Sequence, residues 1–471
     1  MDEETIDLAR LVRRYLEDVV HSPLTEAGRG GPQVGDVVGE HLGVAVGDLP
    51  VVREEVPEHQ FVDLDIALTL LAERGGGERV VGVGGGDQRA HHSFSDLLGG
   101  PWARFGLGAV DRVNLPTGPD TSRRAVGFGV RMLHFEGTPV ALLQRAAQRQ
   151  FGQSSSIEVV CPDEAVVAAF ITEVRRLMLE RSVLRGQVLS FSGSPYEPHN
   201  AGITFLHRPQ VAAQDVVLPP GALDRIARHV VGVGAHAARL SGAGQHLKRG
   251  VLLYGPPGTG KTLTVRHLVA RAEGSTVVLL AGEALAHVTT AAHLARAMQP
   301  AIVVLEDCDL VAEDRGFDPG QRPLLFQLLD AMDGLDGDAD VAFLLTTNRA
   351  DLLERALAQR PGRVDLAVQV PLPDRAARSA LFRLYARGLP VSAEVLEEAA
   401  DRTGGVTASF ARELLRRAVL VGAEAGHDVT DDDVRSALGE LLSDAEELTR
   451  SLLGSASSAA AQPAVGRESP A

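Results

Sequence analysis

Residues 251–263 read Val-Leu-Leu-Tyr-Gly-Pro-Pro-Gly-Thr-Gly-Lys-Thr-Leu, an apolar run that leads into a glycine-rich segment. From position 255 to position 262 the segment matches the spacing G-x-x-x-x-G-K-[ST] in full, and residues of helical pattern follow it. In a strand, glycine turn and helix of this kind, backbone N–H groups and the helix N-terminus point at one place and stabilise an anion there. We therefore predict a phosphate-binding loop between a buried strand and a helix.

The residue types of this loop have separate chemical tasks. Its three glycines let the backbone turn inward. Lys261 supplies a point charge for the β and γ phosphates of a nucleotide, and the hydroxyl of Thr262 is placed to ligate Mg²⁺. A chance match is disfavoured because only two of the 46 basic residues, Lys248 and Lys261, are lysine. The predicted nucleotide-binding residues are Gly255, Pro256, Pro257, Gly258, Thr259, Gly260, Lys261, Thr262 and Leu263.

Four short apolar runs, which begin at positions 251, 276, 301 and 341, are separated by segments of helical length. Such runs are typical of strands that are buried on both faces of a parallel sheet. After position 374 the apolar residues recur only at helical spacing. The predicted fold class is α/β, with a parallel P-loop NTPase sheet between helices and a C-terminal helical lid, preceded by an α+β N-terminal domain.

The region before the loop has a mixed pattern. Helices are predicted over residues 1–21, 60–73 and 163–180, and strands near 124–135 and 157–161, whereas residues 29–36 and the lysine-free glycine run at 82–86 are predicted to be loops. The predicted division of the chain is a helix and linker at 1–56, an α+β client or adaptor domain at 57–210, an ATPase core at 211–373, a lid at 374–445 and a disordered tail at 446–471.

Composition excludes several classes of protein. The net charge of −16 disfavours a sequence-independent grip on nucleic acid, which depends on basic side chains. The two cysteines, Cys161 and Cys308, have no spacing typical of a zinc site or a disulfide framework. No signal segment and no apolar stretch of about 20 residues is found, so we expect a cytoplasmic protein without a membrane span.

Two adjacent carboxylates follow the third apolar run, where residues 304–309 read Val-Leu-Glu-Asp-Cys-Asp. They are predicted to lie at the C-terminal edge of a strand, where ligands bind in doubly wound sheets. We expect Glu306 to hold Mg²⁺ together with Thr262, and Asp307 to orient and polarise the attacking water. The alternative, ordinary surface acids after a strand, is disfavoured by the phosphate-binding loop upstream.

In their order and spacing, residues 255–262, the acidic pair, Leu-Thr-Thr-Asn at 345–348 and Arg-Pro-Gly-Arg-Val-Asp at 360–365 resemble the AAA ATPases, over about residues 215–440. The resemblance implies ATP and Mg²⁺ as cofactors and a homo-oligomeric, hexameric ring. It also implies that Asn348 senses the γ phosphate, and that Arg360 and Arg363 reach a neighbouring subunit's nucleotide as arginine fingers. Residues 216–226 and Ala408 are the implied neighbours of the adenine.

Two features depart from the common pattern of that family. The acidic pair reads Glu306-Asp307, the reverse of the usual order, and resembles a branch that includes the mitochondrial iron–sulfur protein translocase ATPases. Asp307 is one methylene shorter than glutamate, and a water misplaced by about 1 Å can lower a rate by about a hundredfold. Residues 286–289, Ala-His-Val-Thr, stand where threading relatives carry an aromatic that grips polypeptide; His287 can also be an ordinary solvated side chain.

Three functions remain open at this stage. The leading one is an oligomeric ATPase that remodels a protein client recognised by residues 1–210. The alternative is a nucleotide-gated scaffold that hydrolyses ATP slowly or not at all. Nucleic-acid remodelling has little support because of the negative net charge. The alanine-, glycine- and arginine-rich composition is compatible with a bacterial source.

Overall fold

The computed structural model describes residues 32–99, 105–148, 153–191, 202–309, 337–349 and 364–443. The predicted helix at 1–21, Arg360, Arg363 and the predicted tail at 446–471 lie outside these ranges. The chain divides into two compact units, one comprising residues 1–183 with 195–202 and the other residues 184–194 with 203–471. Each unit is described by itself.

The first unit is built on an antiparallel sheet with the strand order β1-β7-β6-β5-β2-β3, with β4 also paired to β5. The strands are β1 (Val51–Glu55), β2 (Glu78–Val83), β3 (Leu107–Gly108), β4 (Asp111–Pro116), β5 (Ser122–Phe135), β6 (Thr138–Arg145) and β7 (Ser156–Val160). The helices of this unit are α1 (Val34–Leu42), α2 (Phe61–Arg74), α3 (Phe94–Gly99) and α4 (Glu164–Glu180).

Both faces of this sheet are covered. Helices α2 and α4 share one hydrophobic cluster with β5, β6 and β7, and α1 and α3 share a second cluster with the opposite face. The side chain of Asp163 accepts a hydrogen bond from the backbone of Ala165 and caps α4. The predicted helices at 60–73 and 163–180 and the strands at 124–135 and 157–161 are confirmed, and the α+β character of this region follows.

Three local predictions in this region are wrong. Residues 29–36 were predicted to be a loop, but α1 begins at Val34, and the predicted linker to position 56 contains β1. Strand β1 is held by backbone pairing with β7, more than 100 residues away, which local sequence does not reveal. The glycine run at 82–86 is predicted to be a loop, but Gly82 belongs to β2. A glycine is required there because an added Cβ would lie 1.9 Å from the carbonyl oxygen of Ala109.

The second unit contains the predicted parallel sheet, with the strand order β14-β10-β13-β12-β11-β8-β9. All neighbours from β14 to β8 are parallel, and β9 is antiparallel to β8. The strands are β8 (Val188–Phe191), β9 (Ile203–Leu206), β10 (Arg249–Tyr254), β11 (Thr276–Ala281), β12 (Ala301–Glu306), β13 (Val341–Thr347) and β14 (Leu366–Gln369). The predicted boundary at position 210 is therefore too late, because β8 and β9 extend the ATPase sheet.

The helices of the second unit are α5 (Ala222–Ala227), α6 (Val233–Ala235), α7 (Ala237–Gly242), α8 (Lys261–Arg271), α9 (Val288–Ala297), α10 (Arg375–Tyr385), α11 (Ala393–Arg402), α12 (Ala408–Ala425) and α13 (Asp431–Leu442). Helices α10 to α13 enclose their own hydrophobic cluster and form the predicted lid. Each begins at a capping side chain that accepts a backbone hydrogen bond: Asp374, Ser392, Thr407 and Thr430. Among the described residues, no helix has both the length and the apolar character needed to cross a membrane.

Candidate active site

The predicted site residues are brought together at one edge of the sheet in the second unit. Strand β10 pairs in parallel with β13, and β13 pairs in parallel with β12. The segments that leave the carboxyl ends of these three strands therefore converge. They carry the glycine-rich loop after β10, the acidic pair at the end of β12 and Asn348 after β13. This is the edge at which ligands bind in open α/β sheets.

The loop after β10 has the backbone of an anion-binding turn. Gly255, Gly258 and Gly260 have φ values of 151°, 74° and 103°, which residues with a side chain rarely adopt. An added Cβ at Gly255 would lie 2.1 Å from the carbonyl oxygen of Val370, so glycine is required there for packing as well. The loop leads directly into α8, whose first residue is Lys261. The free N–H groups of that helix start are available to a phosphate.

Lys261 is largely buried beneath this loop. Its Nζ donates hydrogen bonds of 2.8 Å to the carbonyl oxygens of Gly255 and Pro256, so the ammonium group is held at the centre of the turn. Burial lowers the pKa of Lys261, and the carboxylates of Asp307 and Asp309 act in the opposite direction. A cation held there and incompletely neutralised attracts an anionic ligand.

Thr262 and Glu306 offer the oxygen ligands that Mg²⁺ requires. The hydroxyl of Thr262 and the carboxylate of Glu306 are hydrogen-bonded. The Oε1 atom of Glu306 is buried without a hydrogen-bond partner among the described residues. Burial raises the pKa of Glu306, and a bound cation would reverse this effect. Because Mg²⁺ binds through one or two protein oxygens plus substrate phosphates, these residues fit the ion.

Asp307 is held in an unusual conformation next to this pair. Its φ is 53°, in the left-handed region, and its amide donates a 3.0 Å hydrogen bond to Oγ1 of Thr346. Its Oδ1 accepts a 3.3 Å hydrogen bond from Nδ2 of Asn348. The predicted water-orienting carboxylate and the predicted sensor amide are thus in contact.

Asp309 is a further candidate site residue, which the sequence analysis does not single out. Its Oδ1 accepts hydrogen bonds from Oγ1 of Thr347, at 3.0 Å, and from the backbone N–H of Asn348, at 3.1 Å. Its Oδ2 lies 3.4 Å from Nδ2 of Asn348. Asp309 therefore holds Asn348, the predicted sensor, beside Asp307. The only signal in the sequence is a third acid directly after the strand, and that signal does not reveal a partner 39 residues away.

A cavity of about 500 Å³ opens in front of these groups. The loop, Asp307 and Asn348 line it together with the apolar residues Val216, Val217 and Leu381, which suit a flat base. Ala408 also lines the cavity. The predicted adenine wall thus borders the same cavity as the predicted phosphate loop.

The lid contributes four residues to this cavity that the sequence did not point to, namely Leu381, Tyr385, Ser409 and Arg412. The backbone N–H of Ser409 donates a 3.3 Å hydrogen bond to the carbonyl oxygen of Gly258, which joins the start of α12 to the loop. Burial raises the pKa of Tyr385, while Arg412 acts in the opposite direction. These residues escaped sequence reasoning because they depend on how the lid packs on the sheet.

The remaining predicted features lie elsewhere or outside the described residues. His287 is exposed at the start of α9, and its ring is stacked on Phe191 of β8 with a centroid distance of 5.3 Å. Arg360 and Arg363 are not described. Both cysteines are free and buried, and burial raises the pKa of Cys308 to about 12, so its thiol stays protonated at neutral pH.

Comparisons with known proteins agree with this geometry. Residues 251–372 match the family model described as "ATPase family associated with various cellular activities (AAA)". The chain is similar to the ATP-dependent zinc metalloprotease FtsH of Synechococcus sp., with 30% identity over 399 residues, covering 77% of this chain and 60% of the relative. It is also similar to FtsH 4 and FtsH 2 of Sphaerobacter thermophilus, with 33% and 37% identity.

The similarity to these proteins is partial in length. The chain spans 42% of FtsH 4 and 32% of FtsH 2 of Sphaerobacter thermophilus, and these alignments cover 56% and 42% of the chain. The family model lies entirely within the second unit and includes the loop, the acidic pair and Asn348.

Proposed function

We propose that residues 251–372, which match the AAA ATPase family model, hydrolyse ATP with Mg²⁺, and that the chain couples this hydrolysis to the remodelling of a protein client. The observation that carries the proposal is the convergence of Lys261, Thr262, Asp307 and Asn348 on one cavity, with Glu306 hydrogen-bonded to Thr262 at the same sheet edge. The client is proposed to bind the first unit.

The chemistry is derived from the positions of these side chains. The loop N–H groups and Lys261 bind the β and γ phosphates, and Val216, Val217 and Leu381 enclose the base. When bound, Mg²⁺ would neutralise charge on the phosphates, and Thr262 and Glu306 would hold it. Asp307 accepts a proton from the attacking water, and Asn348, oriented by Asp309, positions that water in line with the γ phosphorus.

The proposed working form is a homo-oligomeric ring, hexameric by analogy with AAA proteins. The proposal rests on Arg360 and Arg363, which would supply a guanidinium to the neighbouring nucleotide and so make hydrolysis depend on assembly. The order Glu306-Asp307 supports a place in the translocase-like branch. We further propose a cytoplasmic location, in keeping with the two free cysteines. The spacing H-E-x-x-H, typical of zinc proteases, does not occur in the 471 residues, and proteolysis is not part of the proposal.

A second candidate function is a nucleotide-gated scaffold. The observation that favours it is the short Asp307 side chain, which already contacts Asn348 and which carries the general-base task that most relatives give to glutamate. Such a protein would assemble when it binds ATP and turn it over too slowly to perform work.

One experiment separates the two functions. Steady-state ATP turnover with Mg²⁺ is measured for the wild type, Lys261→Ala, Asp307→Asn and Arg363→Ala, and the molecular mass is measured with and without nucleotide. Lys248→Ala is the matched control, because it removes the only other lysine. Turnover that falls in the three variants and accompanies ATP-dependent assembly supports remodelling. Assembly with wild-type turnover no faster than that of the variants supports the scaffold, and a monomer indifferent to Arg363→Ala contradicts the ring.

A further inference from the structure

Arg208 makes an unusual set of hydrogen bonds at the end of the helix that follows the phosphate loop. Its Nη1 donates to the carbonyl oxygens of Val269, at 2.7 Å, and Ala272, at 3.0 Å. Its Nη2 donates to the carbonyl oxygens of Gly186, at 2.9 Å, and Ser275, at 2.8 Å. One guanidinium thus connects the C-terminal end of α8, the residue before β11 and the residues that precede β8.

The chemistry of this contact is specific to arginine. The last carbonyls of a helix have no partner within the helix, and a cation at that end is stabilised by the helix dipole. Burial lowers the pKa of Arg208, and Glu273 acts in the opposite direction. A planar fork of donors reaches four carbonyls at once, whereas the compact ammonium of lysine does not.

The same stretch of chain holds α8 at a second point. The carbonyl oxygen of Val211, three residues after Arg208, lies 2.8 Å from Nδ1 of His267, a buried residue in the middle of α8. We call residues 207–211 the strap. Helix α8 has 11 residues and is about 16 Å long, so a rigid shift at its strapped end is transmitted to Lys261 and Thr262 at the other end.

The strap continues from the hairpin formed by β8 and β9, which is anchored to a second helix. The guanidinium of Arg185 donates to the carbonyl oxygens of Gln299, at 2.8 Å, and Ala297, the last residue of α9. At the other end of α9, His287 stacks on Phe191. The chain around β8 is thus fixed at both ends of α9, by Arg185 before the strand and by Phe191 at its last position.

We propose that Arg208 is a positioning residue for ATP hydrolysis, which fixes the phosphate-loop helix to the β8–β9 hairpin and so sets the position of Lys261 and Thr262. The proposal rests on the ATPase activity within the proposed function. It differs from a purely stabilising role, because loss of Arg208 should alter the phosphate and Mg²⁺ steps in molecules that remain folded. A displacement of a reacting group by about 1 Å can lower the rate by up to about a hundredfold.

The test uses the full chain with Arg208→Gln, Arg208→Lys and the control Arg271→Gln, an exposed arginine in the last turn of the same helix. Turnover per folded molecule, KM for ATP, the Mg²⁺ concentration for half-maximal turnover and Tm are measured. We expect Arg208→Gln to lower kcat by about ten- to a hundredfold and to raise the required Mg²⁺ severalfold. Arg208→Lys should restore only part of this loss, and Arg271→Gln should match the wild type.

The outcomes distinguish this inference from the proposed function. A folded Arg208→Gln protein with kcat within about twofold of wild type and the same Mg²⁺ requirement overturns the positioning role, even if its Tm is lower. If Arg208→Gln does not fold, wild-type kinetics in Arg208→Lys overturn it instead. A wild type without turnover contradicts the proposed hydrolysis. The role of Arg208 is then tested by the affinity of the same variants for Mg-ADP: an unchanged affinity rejects that role, and a weakened affinity supports it.

Discussion

At the scale of single residues, Asp307 combines backbone strain with a proposed catalytic role. A non-glycine residue at φ 53° costs about 1–2 kcal/mol, and the hydrogen bonds to Thr346 and Asn348 hold it there. Strain of this kind is concentrated at functional sites. The conformation aims the shorter acid toward the sensor amide, which offers a reason why aspartate serves where glutamate is more common.

We predict that Asp307→Asn lowers ATP turnover by about a hundredfold or more, because a positioned general base contributes that much. Binding of Mg-ADP should change little, since the loop and Lys261 are untouched. Turnover and a nucleotide-binding isotherm check both statements. Asp338→Asn, which alters an exposed aspartate, is the control. Equal turnover in Asp307→Asn and wild type would assign the base to another group.

A second prediction at this scale concerns Gly255. Gly255→Ala introduces a Cβ 2.1 Å from the Val370 carbonyl oxygen at a φ of 151°, so the loop must move away from β14. We expect a loss of at least about 2 kcal/mol of stability and loss of ATP binding. Gly274→Ala is the matched control, because that glycine also has a positive φ of 78° but open space around it. Similar melting temperatures and affinities in the two variants would refute the steric argument.

At the scale of elements, Asp63 joins α2 to the chain that leaves α4. Its carboxylate accepts hydrogen bonds from Oγ of Ser182, at 2.7 Å, and from the N–H of Val183, at 2.8 Å. Burial is the largest effect and raises the pKa of Asp63 from 3.8 to about 6. A raised pKa means that the folded state binds the proton more tightly. The associated stability is present below about pH 4 and is lost as the pH rises through 6.

We therefore predict that, at pH 8, the free energy of unfolding of Asp63→Asn exceeds that of the wild type by roughly 2–3 kcal/mol, so that the variant unfolds at a higher urea concentration. At pH 4 this difference should disappear. An amide stays neutral and can still accept the hydrogen bond from Val183. Urea denaturation of the first unit between pH 4 and pH 8 measures the effect. The exposed Asp48 provides the control Asp48→Asn. If the difference in unfolding free energy between Asp63→Asn and the wild type did not depend on pH, titration of the Asp63 carboxyl group would not be its cause.

At the scale of the whole molecule, each of the two units has its own hydrophobic clusters. The clusters of the first unit involve residues 34–178, and those of the second unit residues 188–441. The nucleotide cavity is lined only by residues of the second unit. A ligand that binds only the folded form stabilises the unit that contains its site.

Calorimetry should accordingly show two unfolding transitions, of which Mg-ADP raises only one. At a ligand concentration of a hundred times Kd the gain is about 2.7 kcal/mol. Lys261→Ala should abolish the shift and leave the other transition in place. A single transition that moves as a whole with nucleotide would show that the units unfold together.

Features that are formed by residues close together along the chain could be predicted from the amino-acid sequence. The phosphate loop, the acidic pair after a strand, the apolar runs of the parallel sheet and the helical spacing of apolar residues in the lid depend on neighbours within a few residues, so their patterns are visible in one segment. Contacts between distant parts of the chain could be learned only from the folded structure. They are the pairing of β8 with β11, the hydrogen bonds between Asp309 and Asn348, the cavity residues Tyr385, Ser409 and Arg412, and the contacts of Arg208. These depend on which strands and helices become neighbours, and that is set by packing of the whole core rather than by local propensity.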